Sequence, residues 1–226
     1  MSYVPLQVIS SYSLLQSPIR IADLIAEAKD RGYQALALTD LNVMYGAVEF
    51  YDACLKAAIK PLIGLTLQLP GLILTDKEYG WVLIAKNQQG YANLLKLSTL
   101  KMTMPELTAS QLGDYLSDLV LILPPAAEMN DLLLQGRADD AADLIDQVKS
   151  LGVDPNALKI GVDYHSSDSL NDMLSKLAAD KQVALVADSP VEYLNATDYF
   201  SMQVLKNIGA GEKIANVAQL SKQVGP

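Results

Sequence analysis

Acidic side chains and a single histidine are the residues with which this sequence could do chemistry. Asp163 and His165 stand two positions apart, so on a strand their side chains would share a face and could supply two metal ligands. Asp40, Asp188 and Glu192 lie at or near the ends of short apolar runs. Three carboxylates could hold a magnesium ion loosely. Asp is also a favoured cap and turn residue, so a structural role for Asp40 and Asp188 remains open.

Several common kinds of active site are missing from the sequence. His165 is the only histidine in 226 residues, which argues against a centre built from several histidines. Ser10, Ser11 and Ser13 carry hydroxyl groups, yet no general base accompanies them. The sequence contains neither the Gly-rich lysine loop of phosphate-binding enzymes nor a Gly-x-Gly-x-x-Gly turn after a strand. The residues alone therefore indicate little catalytic equipment.

Composition indicates a folded, acidic protein. Seventeen Lys and Arg against 26 Asp and Glu give a formal net charge of −9. Such a surface repels phosphate backbones, which argues against autonomous binding of nucleic acid. Cys54 is the only cysteine, so no internal disulfide can form, as suits a reducing compartment. No apolar run reaches the roughly 20 residues of a membrane helix. We expect a cytoplasmic protein with no membrane partner.

Short apolar runs alternate with segments of helical periodicity. The runs are continuous rather than alternating, which is typical of strands in a parallel sheet covered by helices. Strands are predicted at 4–9, 35–39, 62–69, 80–85, 118–123, 158–163 and 183–187. Helices are predicted near 21–32, 48–58, 88–100, 110–116, 141–151, 170–179 and 198–209. This order predicts an α/β fold with a closed or nearly closed barrel, and an open doubly wound sheet is the alternative.

Several stretches of the sequence match motifs of a known family. They read VISSYSLL at 8–15, ALALTD at 35–40, MYGAVEFY at 44–51, IKPLIG at 59–64, LIAKN at 83–87, GYANLLKLS at 90–98 and VEYL at 191–194. Together they resemble the PHP (polymerase and histidinol phosphatase) domain, of the type that opens the alpha subunit of bacterial DNA polymerase III. The strings at 44–51 and 90–97 resemble this polymerase type and not the separate PHP phosphatases. The resemblance points to the short alpha subunit, which lacks an exonuclease insertion.

The resemblance implies a fold and a domain organisation. The fold would be a distorted seven-stranded (β/α)7 barrel related to the TIM barrel. Residues 1–211 would form the PHP domain, and residues 212–226 would begin a linker to an absent polymerase palm.

The family's metal ligands are replaced at the positions that can be aligned. Gln7 and Ile9 stand at the two histidines of the first motif, H-x-H, and Leu41 stands at the histidine of T-D-H. The other replaced ligand positions hold Gln16, Thr66 and Glu192. Asp40 is retained, in what resembles a supporting role. Because an apolar cavity cannot compensate the desolvation of a divalent cation, we expect no catalytic residue, no metal and no cofactor in this domain.

The expected role is that of a scaffold in DNA replication. The resemblance implies contacts with the palm and thumb of the same polymerase chain, and docking of a proofreading or accessory subunit. DNA would be reached only through the full polymerase. One alternative is residual metal-dependent phosphoesterase, pyrophosphatase or 3′–5′ exonuclease activity, with ligands drawn from Asp40, Asp163, His165, Asp188 and Glu192. Another is binding of a phosphorylated small molecule by the hydroxyl groups at 10–13.

Overall fold

The structure, a computed structural model, describes residues 3–211. The expected linker at 212–226 lies outside the described residues. The chain divides into two compact units. Among the described residues, the terminal unit comprises 3–62 and 190–211, and the central unit runs from Ile63 to Ser189.

Strands and helices alternate along the described residues much as the sequence predicts. The strands are β1 Ala35–Leu38, β2 Lys60–Pro70, β3 Glu78–Ala85, β4 Leu119–Leu123, β5 Leu158–Val162 and β6 Ala184–Ala187. The helices are α1 Ile21–Asp30, α2 Ala47–Lys56, α3 Gln88–Thr103, α4 Glu128–Leu134, α5 Ala138–Ser150, α6 Asp168–Asp180 and α7 Asp198–Ala210. Two short 3-10 turns, Ala109–Gln111 and Gly113–Tyr115, replace the helix predicted at 110–116. No helix of the described residues is both long and apolar enough to cross a membrane.

Helices α1 and α2 pack together in the terminal unit. The buried residues of α1 are Ile21, Leu24, Ile25 and Ala28, an i, i+3, i+4, i+7 stripe. Helix α2 buries Ala47, Phe50 and Cys54, so Cys54 is a small core residue, as its spacing predicts. The apolar spacing of the sequence thus determines which face of each helix is buried.

The strand predicted at 4–9 is found only as an isolated parallel bridge between Val8 and Val191. Backbone hydrogen bonds join this segment to β1 on one side, where Thr39 N donates to Val8 O at 2.9 Å. On the other side Ile9 N donates to Val191 O at 3.0 Å. Pro5 has no N–H to donate, which limits regular pairing at the start of the segment.

The sheet of the central unit is mixed, whereas the sequence predicts a parallel one. Strands β2 and β3 pair antiparallel, as do β3 and β4. Strands β4, β5 and β6 are parallel neighbours. A short loop at 71–77 joins β2 to β3 as a hairpin, which explains their antiparallel pairing, and helices connect the parallel pairs β4–β5 and β5–β6. The carboxyl ends of β4, β5 and β6 therefore meet at one edge.

Helix α3 starts where only glycine fits. Asn87 caps the helix by accepting a hydrogen bond from Gly90 N at 3.0 Å, and its amide donates to Asp118 Oδ1 at 2.8 Å. A Cβ atom on Gly90 would lie 2.2 Å from Asp118 O. Gly90, the first residue of the string 90–98, therefore marks the point where α3 closely approaches the segment before β4.

A buried carboxylate holds the β2–β3 loop. Glu128, at the first position of α4, accepts hydrogen bonds from Leu72 N, Ile73 N and Leu74 N at 2.8, 2.6 and 2.5 Å. A Cβ atom on Gly71 would lie 2.8 Å from Glu128 Oε1. Glu128 is 3% exposed, and sequence analysis singled out neither this residue nor α4.

Replacing Glu128 is expected to destabilise the protein. Glu128→Ala leaves three backbone N–H groups without their acceptor, and we expect a loss of about 2–4 kcal/mol in the free energy of unfolding. Urea unfolding measures this loss. Glu106→Ala, at an exposed position, is the matched control and should change stability by less than about 0.5 kcal/mol. Equal stability of the two variants would contradict the anchoring role of Glu128.

Candidate functional site

Asp40 is the centre of a hydrogen-bond network in the terminal unit. It lies just after β1 and is 2% exposed. Its Oδ1 accepts from Ser10 N and from Ser13 Oγ, both at 2.7 Å. Ser10 Oγ lies 2.9 Å from both carboxylate oxygens. The carboxylate thereby fixes the turn at 10–13 to the end of β1.

The two serine hydroxyls of this network are fully engaged. Ser10 Oγ also accepts from Tyr12 N at 3.2 Å, and Ser13 Oγ accepts from Leu41 N at 2.8 Å. Burial raises the pKa of Asp40, and the hydrogen bonds from Ser13 and Ser10 oppose that rise. Because both hydroxyls donate to Asp40, they are poorly placed to bind a phosphorylated ligand.

The other aligned positions of the terminal unit offer few metal ligands. Gln7 and Ile9 are 7% and 6% exposed, and the amide oxygen of Gln7 has no hydrogen-bond partner among the described residues. Gln16 and Leu41 are half-buried. Ile9 and Leu41 carry no atom that could bind a metal. Hydrocarbon thus stands at two of the positions singled out in the sequence.

Glu192, a second acidic candidate of this unit, is paired with a lysine. Its Oε2 lies 2.7 Å from Lys206 Nζ on α7. Its backbone oxygen accepts a hydrogen bond from Ser17 Oγ at 2.9 Å. The carboxylate of Glu192 is therefore engaged in an ion pair with Lys206 of α7.

Asp188 is a buried carboxylate of a different kind, in the central unit. It follows β6 and is 1% exposed, and neither of its carboxylate oxygens has a hydrogen-bond partner among the described residues. A Cβ atom on Gly161 would lie 3.1 Å from both Asp188 Cβ and Pro125 Cδ. These three residues therefore meet where β4, β5 and β6 end. Burial, with a smaller contribution from the charge of Asp163, raises the pKa of Asp188 to about 6.

Asp163 and His165 do not share a strand face, because β5 ends at Val162. Asp163 Oδ1 accepts from His165 N at 3.2 Å, which makes a local turn, and from Ser189 Oγ at 2.7 Å. The side chain of His165 is exposed and packs edge-on against Tyr164, with 5.5 Å between ring centroids. Asp163 and His165 therefore do not form a pair on one strand face, and His165 is an exposed residue just beyond the end of a strand.

Thr66, the last aligned position, lies in the middle of β2 in the central unit. It is 3% exposed and opposite Val82 of β3. Among residues 3–211, no three His, Cys, Asp or Glu side chains are grouped closely enough to hold a metal ion. The candidates Asp163, His165 and Asp188 therefore do not converge on a metal centre.

Removing the Asp40 carboxylate is expected to destabilise the protein. Asp40→Ala leaves Ser10 N and the hydroxyls of Ser10 and Ser13 without their acceptor, at a cost of about 2–4 kcal/mol. Urea unfolding at pH 7 measures this cost, with Asp30→Ala, at an exposed helix end, as control. An unchanged midpoint for Asp40→Ala would contradict the organising role of this carboxylate.

Asp188→Asn is expected to stabilise the protein near neutral pH. Because the pKa of Asp188 is raised from 3.8 to about 6, its ionisation weakens the folded state as pH rises through 6. The substitution should recover up to roughly 3 kcal/mol at pH 8 and nothing at pH 4. Unfolding measured from pH 4 to 8 tests this, with Asp168→Asn, at an exposed position, as control. Parallel stability profiles for Asp188→Asn and the unaltered chain would show that the carboxylate is compensated.

Comparison with known sequences identifies relatives along nearly the whole chain. The sequence profile of the PHP domain matches residues 5–158. DNA polymerase III subunit alpha of Bacillus subtilis is 34% identical over 223 residues, which are 96% of this chain and 20% of the relative. The protein of the same name from Halalkalibacterium halodurans is 33% identical over 218 residues, 93% of this chain and 19% of the relative. The chain thus spans about a fifth of the length of these curated relatives.

Solved structures share the fold at low sequence identity. An amidohydrolase from Chromobacterium violaceum, with bound sulfate and no metal, matches with a TM-score of 0.61 and 11% identity, over 85% of this chain and 88% of that one. A proposed metal-dependent phosphoesterase from Bifidobacterium adolescentis matches with a TM-score of 0.56 and 9% identity, over 84% and 87% of the two chains. These matches confirm the predicted α/β fold of the PHP type. Since the family profile covers more than half of the sequence, the chain belongs to the PHP domain family.

Proposed function

We propose that this chain is the PHP domain of a DNA polymerase III alpha subunit and acts there as a non-catalytic scaffold for the polymerase core. The similarity to alpha subunits over more than nine tenths of the chain supports the assignment to DNA replication. The observation that carries the scaffold role is the hydrocarbon of Ile9 and Leu41 at positions where the family has histidine ligands.

The residues present do not fit the metal centre that the family implies. Ile9 and Leu41 offer no donor atom, Glu192 is bound to Lys206, and Asp40 is saturated by hydrogen bonds from Ser10 and Ser13. A hydroxide-generating site needs a nearly complete ligand set. No catalytic step is therefore assigned to this domain, and we propose that it works without a cofactor.

A scaffold needs a rigid core and surfaces for its partners. The core is provided by buried apolar faces such as those of α1 and α2, and by carboxylates such as Asp40 and Glu128 that bind loops in place. The proposed partners are the palm and thumb of the same polymerase chain, with a proofreading or accessory subunit as a further one. Contact with DNA would be made through the full polymerase, in the cytoplasm.

One observation favours a second candidate function, a residual metal-dependent phosphoesterase. Asp188 keeps both carboxylate oxygens free of hydrogen bonds among the described residues, and Asp163 is close enough to raise its pKa. A cation between the two carboxylates would relieve both the burial and the repulsion. A phosphoesterase of this kind would need ligands beyond these two.

Metal content and hydrolysis together test the proposed function. Elemental analysis of the chain, purified without chelator, should give less than about a tenth of an equivalent of Zn, Mn or Fe. A phosphoesterase assay with added Mn²⁺ should show no turnover, and EDTA should leave the melting temperature unchanged because folding is not linked to a metal. The double variant Ile9→His, Leu41→His should remain inactive, since its ligand set is still incomplete.

Near-stoichiometric metal with hydrolysis that EDTA abolishes would contradict the scaffold role. Loss of that hydrolysis in Asp188→Asn would then identify the second candidate function. Hydrolysis by the Ile9→His, Leu41→His variant alone would show that the vestigial site retains more ligands than proposed.

A further inference from the structure

Helix α2 of the terminal unit carries two apolar stripes, and only one of them is buried. Ala47, Phe50 and Cys54 face the core. The neighbouring face presents Val48, Tyr51 and Leu55, which are 65%, 47% and 54% exposed. We call these last three residues the α2 stripe; their spacing of three and four positions places them in one row along the helix.

Such a row is unusual on the solvent face of a helix. A surface helix normally has polar residues opposite its core face, and a helix that is apolar on most of its circumference is normally buried. The row from Val48 to Leu55 covers two turns, about 10 Å of helix. Glu49, Asp52 and Lys56, all exposed, border it. A contiguous apolar patch with a polar rim is typical of an interaction surface.

The α2 stripe overlaps a sequence string that is partly exposed. Val48 and Tyr51 both belong to the string 44–51. The phenol of Tyr12 donates a hydrogen bond to Glu49 Oε2 at 2.6 Å, so one acidic side chain of the rim is held in place.

We propose that the α2 stripe is the surface by which this domain docks on the rest of the polymerase alpha chain. This inference rests on the proposed function. The partner surface is assigned to the rest of the polymerase chain because the relatives are about five times longer than this chain. Most of such a polymerase lies outside the structure. The fitting surface has an apolar centre that receives Val48, Tyr51 and Leu55, and a lysine or arginine placed to meet Glu49 and Asp52.

Site-specific photo-cross-linking in the full-length polymerase chain tests this docking. A photo-reactive benzoyl-phenylalanine replaces Tyr51, which is large, aromatic and already part of the row. The matched control carries the same replacement at Tyr164, which is 92% exposed and lies in the central unit, outside the stripe. Mass spectrometry of the digested product identifies the segment joined to each position.

The expected product is an intramolecular cross-link from position 51 to the polymerase segment beyond the PHP domain, with no such product from position 164. The double substitution Val48→Glu, Leu55→Glu should abolish the cross-link from position 51. Because both side chains are exposed, it should leave the melting temperature of the 226-residue chain unchanged.

Three results would overturn the inference. They are a cross-link between two copies of the chain, a cross-link only to a separate subunit, and no cross-link from position 51. Each of them leaves the proposed function standing if the full-length chain synthesises DNA. Metal-dependent hydrolysis by the 226-residue chain would instead overturn the proposed function without affecting the cross-link.

Discussion

A buried carboxylate requires hydrogen-bond donors, and the way this requirement is met organises the terminal unit. Asp40 draws its donors from a single turn, through Ser10 N and the hydroxyls of Ser10 and Ser13. Leu41 N in turn donates to Ser13 Oγ, so the turn and the end of β1 hold each other. An ionised group left without such bonds in a low-dielectric interior costs several kcal/mol. The ordered turn is therefore a condition for burying this charge.

The same constraint distinguishes the roles of the three buried acids among residues 3–211. Glu128 receives three backbone N–H groups and anchors a loop, as Asp40 anchors a turn. Asp188 receives no hydrogen bond to its side chain among the described residues, and burial raises its pKa to about 6. A buried carboxylate without hydrogen-bond partners requires an explanation, such as a functional role or a bound ion. This contrast makes Asp188 the residue that best discriminates between a scaffold and a residual enzyme.

The core of this domain is built from apolar packing and hydrogen bonds. Around the aligned positions, Ile9 adds to the hydrophobic core, and Glu192 and Lys206 form an ion pair within the protein. The apolar faces of α1 and α2 and the hydrogen-bonded strands provide the framework. A domain of this kind is suited to present surfaces, and the exposed row on α2 is one apolar surface that its core leaves uncovered.

The sequence by itself determined most of the order of strands and helices, and the family. Six of the seven predicted strands are found with ends shifted by at most two residues, because short apolar runs between amphipathic helices are a local signal. Only the tertiary structure decided that β3 runs antiparallel to β2 and β4, and that Asp163 closes a turn. It also decided that hydrogen bonds satisfy the carboxylates of Asp40 and Glu128, whereas that of Asp188 has none among the described residues. The hydrogen bonding of each carboxylate depends on which distant backbone groups lie next to it in the fold. Residue type and spacing along the chain do not encode that proximity.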